Sequence, residues 1–397
     1  MSLVNTPSGN RLHIGIFGKR NSGKSSLLNA ITGQEIALVS EVKGTTTDPV
    51  SKAMEIHPIG PCLLIDTAGF DDTGDLGNMR IEKTKAVLDK TDVAVVVFSD
   101  MQMELETQWI AMLRQRKIPI LAVVNQVDRI EQVQEIKRQI EQRFSLTPLL
   151  VSAKEKTGIS QMKHEILRLM PPDFEAQSLT GPLVQPEDVV LLVMPQDKQA
   201  PKGRLILPQV QTIRDLLDNH CVVMCVTTEQ LSTALQALAK PPKLIITDSQ
   251  AFAQVYPLKP AETLLTSFSI LLAAYKGDLS AFVKGANALD SLTDDSHVLI
   301  AEACTHAPLQ EDIGRVKIPN MLRKKYGEHL QVTVVSGSQF PKDLSEYQLI
   351  IHCGACMFNR KHVLTRVEQA EQQGVPITNY GVVLAKLTGI LDRISMQ

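Results

Sequence analysis

The sequence predicts an α/β protein in three domains, at residues 1–172, 173–260 and 261–397, on three observations. Short Val/Ile/Leu-rich runs alternate with longer helix-period segments along nearly the whole chain, the pattern of helices packed on mainly parallel sheets. Breaks rich in proline fall at Pro171-Pro172 through Pro186 and at Tyr256-Pro257-Leu258-Lys259-Pro260. A length of 397 residues also exceeds one ordinary domain.

In the first segment strands are expected at 12–17, 51–56, 62–66, 93–99, 119–125 and 148–151. The second has strands at 188–194, 221–227 and 243–247 with helices at 208–219 and up to 239. So few strands bury little core, and such a unit gains by pairing a sheet edge with a second copy, which predicts a homodimer. Two helices, 262–275 and 279–289, open the third segment. Strands at 297–301, 331–335, 347–351 and 375–378 follow, with helices at 318–326, 359–373 and 382–394.

Composition narrows the function classes. Lys plus Arg (41) nearly balance Asp plus Glu (43), so no broad positive field favours nucleic acid or anionic lipid. The longest apolar runs, such as Val93–Phe98, are far too short to span a bilayer, and MSLVNTPSGN lacks the features of a secretory signal. No nucleic-acid or membrane partner is expected, and the predicted location is cytoplasmic. Six cysteines in such a chain point to metal binding, catalysis or burial rather than disulfides.

Residues 18–25, Gly-Lys-Arg-Asn-Ser-Gly-Lys-Ser, fit the phosphate-loop pattern directly after an apolar strand and before a helix start. Gly18, Asn21, Ser22, Gly23, Lys24, Ser25 and Ser26 make up the expected phosphate cradle. Its backbone N–H groups face the phosphates, Lys24 reaches the β and γ oxygens, and Ser25 ligates Mg²⁺. Asp66-Thr67-Ala68-Gly69 ends the third strand, where Asp66 holds magnesium through water and Gly69 meets the γ-phosphate. Gly44-Thr45-Thr46-Thr47-Asp48 supplies hydroxyls in a segment suited to a nucleotide-dependent switch. Asn125-Gln126-Val127-Asp128 places a carboxylate where it can accept from guanine N1–H and the exocyclic amine, a pair adenine does not offer. Ser152-Ala153-Lys154 offers a backbone donor to the guanine oxygen. Lys24, Thr46 and Gly69 are the catalytic candidates. Phe70 stands where Ras-type proteins carry the water-orienting glutamine, which predicts slow hydrolysis.

On these motifs the first 170 residues or so resemble the translation-factor-related small GTPases, in the branch of the tRNA-modifying and Era-like proteins. The resemblance implies a Ras-like P-loop fold, Thr46 as the switch threonine on Mg²⁺, and Asn21 as the asparagine that binds an activating K⁺. The chain departs at Gln126, where the family carries a lysine packed along the base.

Cys353-Gly354-Ala355-Cys356 and Cys304 each follow an expected strand, with His352 and His306 beside them. Carboxyl ends of parallel strands meet at one rim, so these distant residues can converge. Three cysteines suit a 4Fe-4S cluster with one open iron, and three cysteines plus histidine equally suit zinc. A C-x-x-C dithiol and unrelated buried thiols are further readings, and Glu311, Asp312, His306, His352 and solvent are all open for a fourth position. Cys62, Cys221 and Cys225 fall in strands and read as core packing.

The segments 302–306, 312–319 and 351–360 resemble the FeFe-hydrogenase maturation GTPase family, HydF, as does 200–209 in its dimerisation domain. Cys304, His306, His352, Cys353 and Cys356 match the family's C-x-H and H-C-x-x-C motifs, while Ala307 stands where many relatives carry a second histidine. The resemblance implies a GTPase, a small α/β dimerisation domain and an α/β iron-sulfur cluster domain. It also implies a scaffold or carrier that takes a di-iron unit made with radical-SAM maturases and delivers it to apo FeFe-hydrogenase. The rival readings are an RNA- or ribosome-associated GTPase with a structural zinc domain, and a free-standing redox enzyme.

Overall fold

The computed structural model describes residues 6–33, 50–67, 87–172, 174, 178–195, 205–303, 312–337 and 339–396. The chain forms two compact units, Met1–Ala176 and Gln177–Gln397.

The first unit is a six-stranded sheet in the order β2-β3-β1-β4-β5-β6, antiparallel only between β2 and β3. Its strands are β1 (Leu12–Gly18), β2 (Val50–Ile56), β3 (Gly60–Asp66), β4 (Val93–Phe98), β5 (Ile120–Val124) and β6 (Leu149–Leu150). Strand β4 reads Val-Ala-Val-Val-Val-Phe because both of its faces are covered, as parallel strands require. Val93, Val95 and Val97 join one core with Leu27, Leu28 and Ile31 of α1 (Lys24–Thr32) and Ile159, Met162 and Ile166 of α4 (Ile159–Leu169). Ala94, Val96 and Phe98 join the other with Trp109 of α2 (Glu104–Gln115) and Ile140 of α3 (Val133–Phe144).

The second unit holds two four-stranded parallel sheets. One, in the order β10-β9-β7-β8, comprises β7 (Val189–Val193), β8 (Val222–Val226), β9 (Leu244–Thr247) and β10 (Leu264–Ser267). Helices α5 (Leu207–Asp218), α6 (Leu231–Ala237) and the short α7 (Phe252–Val255) accompany it. The other sheet, in the order β12-β11-β13-β14, comprises β11 (His297–Glu302), β12 (Gln331–Ser336), β13 (Leu349–His352) and β14 (Ile377–Asn379). Its helices are α9 (Leu279–Ala286), α10 (Ile318–Tyr326), α11 (Arg360–Gln372) and α12 (Tyr380–Leu387).

Between these sheets runs α8 (Phe268–Lys276), apolar nearly all round. Phe268, Leu271 and Leu272 pack with β7 and β9, while Ile270 and Ala273 join the core that contains β11 and β13. A single core thereby reaches from Leu191 to Ile351.

The strands fall where the apolar runs predict them. The main difference lies at 262–275, expected as one helix, where Leu264–Ser267 instead pairs with β9 as strand β10. The apolar run of β10 passes straight into that of α8, so periodicity does not separate them. Ser267 does: its hydroxyl accepts from Ile270 N–H and caps the helix. Among the described residues no helix is long and apolar enough to cross a membrane.

Helix α9 lies against β14 at Gly285, where a Cβ would stand 1.9 Å from the Ile377 carbonyl oxygen. Alanine would otherwise favour the helix by about 1 kcal/mol, but here the strand backbone must move. Gly285→Ala is expected to destabilise the second unit by about 3 kcal/mol, the upper range of overpacking, read as a lowered urea midpoint. An unchanged or raised midpoint would show that the helix does not approach so closely.

Candidate nucleotide and metal sites

In a parallel sheet every strand delivers its carboxyl end to the same edge, and the nucleotide motifs occupy that edge. Gly18 ends β1, and Gly23 caps α1 with φ +83°. A Cβ on Gly23 would lie 2.4 Å from Asn125 Nδ2, so both backbone sign and space require glycine. Lys24 is buried, and its ammonium donates to the Gly18 and Lys19 carbonyls at 2.7 Å each, which holds it over the loop.

Asn125, fully buried, is the brace between three loops. Its Nδ2 donates to Ser22 O at 3.0 Å, and its Oδ1 accepts from Ala153 N–H at 3.2 Å. Gln126 crosses onto the phosphate loop, donating from Nε2 to Asn21 O at 2.9 Å. Glutamine thus keeps a tether to the loop although it lacks lysine's charge. Ser152 Oγ–H donates to Asp128 Oδ1 at 2.6 Å, and this bond foremost holds the Asp128 carboxyl below its usual range. Asp128 therefore stays an acceptor, as guanine recognition needs. Lys154 is largely exposed.

Asp66 ends β3 with its Oδ1 buried and without a hydrogen-bond partner among the described residues, as is Ser22 Oγ. Burial pushes the Asp66 carboxyl up, and the nearby Lys24 charge partly offsets this. An orphaned carboxylate oxygen beside the phosphate loop fits a water-bound Mg²⁺. Thr46, Gly69 and Phe70 lie outside the described residues.

The second constellation stands at the carboxyl ends of β11 and β13, paired in parallel. Cys353 N–H donates to Ala301 O at 3.0 Å. Its Sγ accepts from Ala303 N–H at 3.0 Å and from Ala355 N–H at 3.4 Å. Burial pushes the Cys353 thiol up to about 11, and these two N–H groups work against that shift. Ala303 immediately precedes Cys304, which with His306 and Glu311 lies outside the described residues. Among the described residues no group of three or more Cys, His, Asp or Glu is close enough to hold a metal.

His352 is buried with both ring nitrogens engaged. Arg366 can only donate, so Nε2 accepts from it at 3.0 Å and Nδ1–H donates to Cys353 O at 2.8 Å. Burial, then the Arg366 charge, pushes the imidazole down to about 3, and it stays neutral. In this geometry His352 orients the cysteine loop rather than presenting a nitrogen to it. Asp312 is buried and spends its Oδ1 on Arg315 N–H at 2.8 Å, capping a π-helical turn, Ile313–Lys317. Cys62 is a core thiol, pushed up to about 12 by burial, and Cys221 is buried too. Cys225 instead lies exposed on edge strand β8, because a strand with one neighbour leaves residues uncovered.

Three supporting residues escaped the sequence reading. Asn379 Nδ2 donates to Cys353 O at 3.2 Å, and the buried Arg366 stacks its guanidinium over Phe340 and Phe358. Lys276 ends α8 at 1% exposure beneath the cysteine loop, donating to the carbonyls of Ala355, Cys356 and Phe358 at 3.4, 3.1 and 2.7 Å. Burial brings Lys276 down to about 8, while the Cys356 and Cys353 charges act to hold it up. It falls just past the helix expected over 262–275, and no local motif marks it.

The fold and the phosphate loop define a P-loop GTPase domain carrying a C-terminal α/β extension. Residues 13–126 match the family model described as 50S ribosome-binding GTPase. Residues 179–277 match the hydrogen maturase F dimerization domain, and residues 280–396 match the hydrogen maturase F tetramerization domain. The chain belongs to the hydrogen maturase F family, and its two C-terminal domains support self-association.

The GTPase Der of Wolinella succinogenes is 33% identical over 172 residues, covering 40% of this chain and 36% of that protein. The tRNA modification GTPase MnmE of Bordetella petrii is 38% identical over 162 residues, covering 40% and 33%. The chain thus spans about a third of the length of these curated relatives. Among solved structures, Aquifex aeolicus Era bound to GDP and aluminium fluoride is similar at 18% identity and TM-score 0.36, covering 54% of this chain and 92% of that one.

Asp128 is the acceptor expected for guanine's two donors, and Asp128→Ala removes it. GTP affinity is expected to fall about a hundredfold, the cost of leaving two charge-assisted hydrogen bonds unmade, with little change in melting temperature. A fluorescent guanine-nucleotide titration reads this, and retained affinity would move base recognition elsewhere.

Proposed function

We propose that this chain is a GTP-hydrolysing scaffold on which the di-iron subcluster of the FeFe-hydrogenase H-cluster is assembled, and from which it passes to apo-hydrogenase. Two radical-SAM maturases are its expected suppliers. The observation that carries the reading is the meeting of Cys353 Sγ with Ala303 N–H, which brings the residue before Cys304 against the Cys353–Cys356 loop. A sulfur that accepts two backbone N–H bonds is prepared to carry thiolate charge, as iron-sulfur ligands do. Cys304, Cys353 and Cys356 would hold a 4Fe-4S cluster with one iron open, and that open iron is suited to carry a second unit transiently. His306 is a further candidate at that position.

At the nucleotide, Lys24 would hold the β and γ oxygens while Ser25, Thr46 and Asp66 serve Mg²⁺ and Gly69 meets the γ-phosphate. Asn21 would bind an activating K⁺ beside the phosphates. Phe70 in place of a water-orienting glutamine makes hydrolysis slow, so nucleotide state is read as a switch on partner association. Homo-oligomers and a cytoplasmic location, where thiols stay reduced, complete the proposal. The match of residues 179–396 to hydrogen maturase F models leaves the RNA- or ribosome-associated alternative unfavoured.

Anaerobic reconstitution tests the cluster. Wild-type protein is expected to show a broad absorption near ~400 nm and a reduced-state EPR signal, both lost when Cys304, Cys353 and Cys356 are changed to serine. A colourless protein retaining stoichiometric zinc would replace the cluster with a structural metal. A second measurement addresses the cation: turnover in KCl is expected to exceed that in NaCl about tenfold or more, a barrier difference of ~1.4 kcal/mol, and Asn21→Ala is expected to abolish the difference. Equal rates in both salts would remove K⁺ from the mechanism.

A further inference from the structure

We propose that Lys276 is a positioning residue for the metal centre, whose ammonium holds the Cys353–Cys356 loop in its ligand-presenting shape and places a fixed positive charge beneath the cluster. The inference rests on the cluster reading above and adds a residue that lies about eighty positions before the cysteines.

Three carbonyls converge on Lys276 Nζ, those of Ala355, Cys356 and Phe358 at 3.4, 3.1 and 2.7 Å. An ammonium has three N–H donors for three acceptors, whereas a neutral amine would turn its lone pair on one of them. The geometry therefore demands the charged form. Yet the side chain is 1% exposed, and among the described residues no carboxylate forms an ion pair with it. A buried cation is costly unless opposite charge or oriented dipoles compensate. The three carbonyl dipoles supply part of this, and the negative end of α8 supplies more. On the cluster reading, the remaining compensation would come from the Cys353 and Cys356 sulfurs once they ligate iron as thiolates.

The same carbonyls explain the loop's shape. Ala355 has φ +50°, an uncommon backbone state for a residue with a side chain, and its carbonyl is one of the three that Lys276 gathers. Arg360, the first residue of α11, reinforces the arrangement by donating from Nη1 to the Tyr275 and Gly277 carbonyls at 2.9 and 3.0 Å. The cysteine loop is thereby fastened to the end of α8 by two cations, of which only Lys276 lies under the sulfurs' own backbone.

A positive charge near a cluster favours its reduced, more negative state, so removing it lowers the reduction potential. The test uses full-length protein, reconstituted anaerobically with iron and sulfide, as wild type, Lys276→Met and Lys276→Arg. Each is assayed for iron content, circular dichroism and redox titration followed by EPR.

The expected result is that the Met variant loads iron like wild type while its reduced-to-oxidised ratio at a fixed potential falls about tenfold, ~59 mV for a one-electron couple. The Arg variant keeps the wild-type value. If the Met variant folds but loses iron while the Arg variant keeps both iron and potential, the charge is required for presentation and the proposal stands. An unchanged potential in a fully loaded Met variant overturns it. So does loss of iron from both folded variants, which would mean that the site needs lysine's shape and not its charge. Wild-type protein that takes up no iron sinks the cluster reading itself, and this inference with it.

Discussion

Helix α8 is the constraint on which the second unit depends. A nine-residue helix with apolar side chains nearly all round has no face to give to water, so it must be enclosed. Here the enclosure is made by two sheets that neither sequence spacing nor family boundaries join. Family models divide the chain between residues 277 and 280, immediately after this helix. The packing runs across that boundary: Ile270 and Ala273 share a core with Ile300 and Ile351, while Leu271 and Leu272 share one with Leu192 and Ile246. What the sequence presents as separate domains the side chains weld through one helix. That helix ends in the lysine on which the cysteine loop rests.

Both candidate sites obey one rule of parallel sheets. Strands bury their lengths and release their carboxyl ends at a common edge, so loops that are far apart in sequence meet there. In the first unit Gly18, Asp66 and Asn125 stand at or just past the ends of β1, β3 and β5. In the second, Ala303 and Cys353 follow β11 and β13, and the register that pairs Ala301 with His352 sets them side by side. Helix termini and backbone N–H groups then supply the polarity: the α1 terminus for phosphate, the Ala303 and Ala355 N–H groups for sulfur. Each site is rigid from below because buried polar groups knit its loops, Asn125 in one case and Lys276, Arg366 and Asn379 in the other.

Much of this was legible in the sequence because the signals were local. The phosphate loop, Asp66, Asn125 and Asp128 are fixed-spacing motifs at strand ends, and strands such as β4 and β11 are apolar runs with clear limits. Less was legible where the deciding contact is distant. Residues 264–267 pass into α8 without a change of hydropathy, so a strand and a helix read as one element until pairing with β9 separates them. Cys225 resembles a core thiol because a strand's sequence does not say whether it lies at an edge. Lys276 falls just past the expected helix, and nothing nearby announces the three carbonyls some eighty residues on. His352 matched a ligand motif by position, whereas its ring is occupied by Arg366 and the Cys353 carbonyl.

The claim that one helix unites the two C-terminal sheets is tested most directly by native-state hydrogen exchange of the whole chain along a denaturant series. Amides of Leu191 and Ile245, of Leu271, and of Ile300 and Ile351 sample the first sheet, the helix and the second sheet in turn. The account predicts that all of them converge on one opening free energy, the mark of a single cooperative unit. Two separate isotherms, with one sheet opening while the other stays protected, would contradict it and return the chain to independent domains joined by a passive helix.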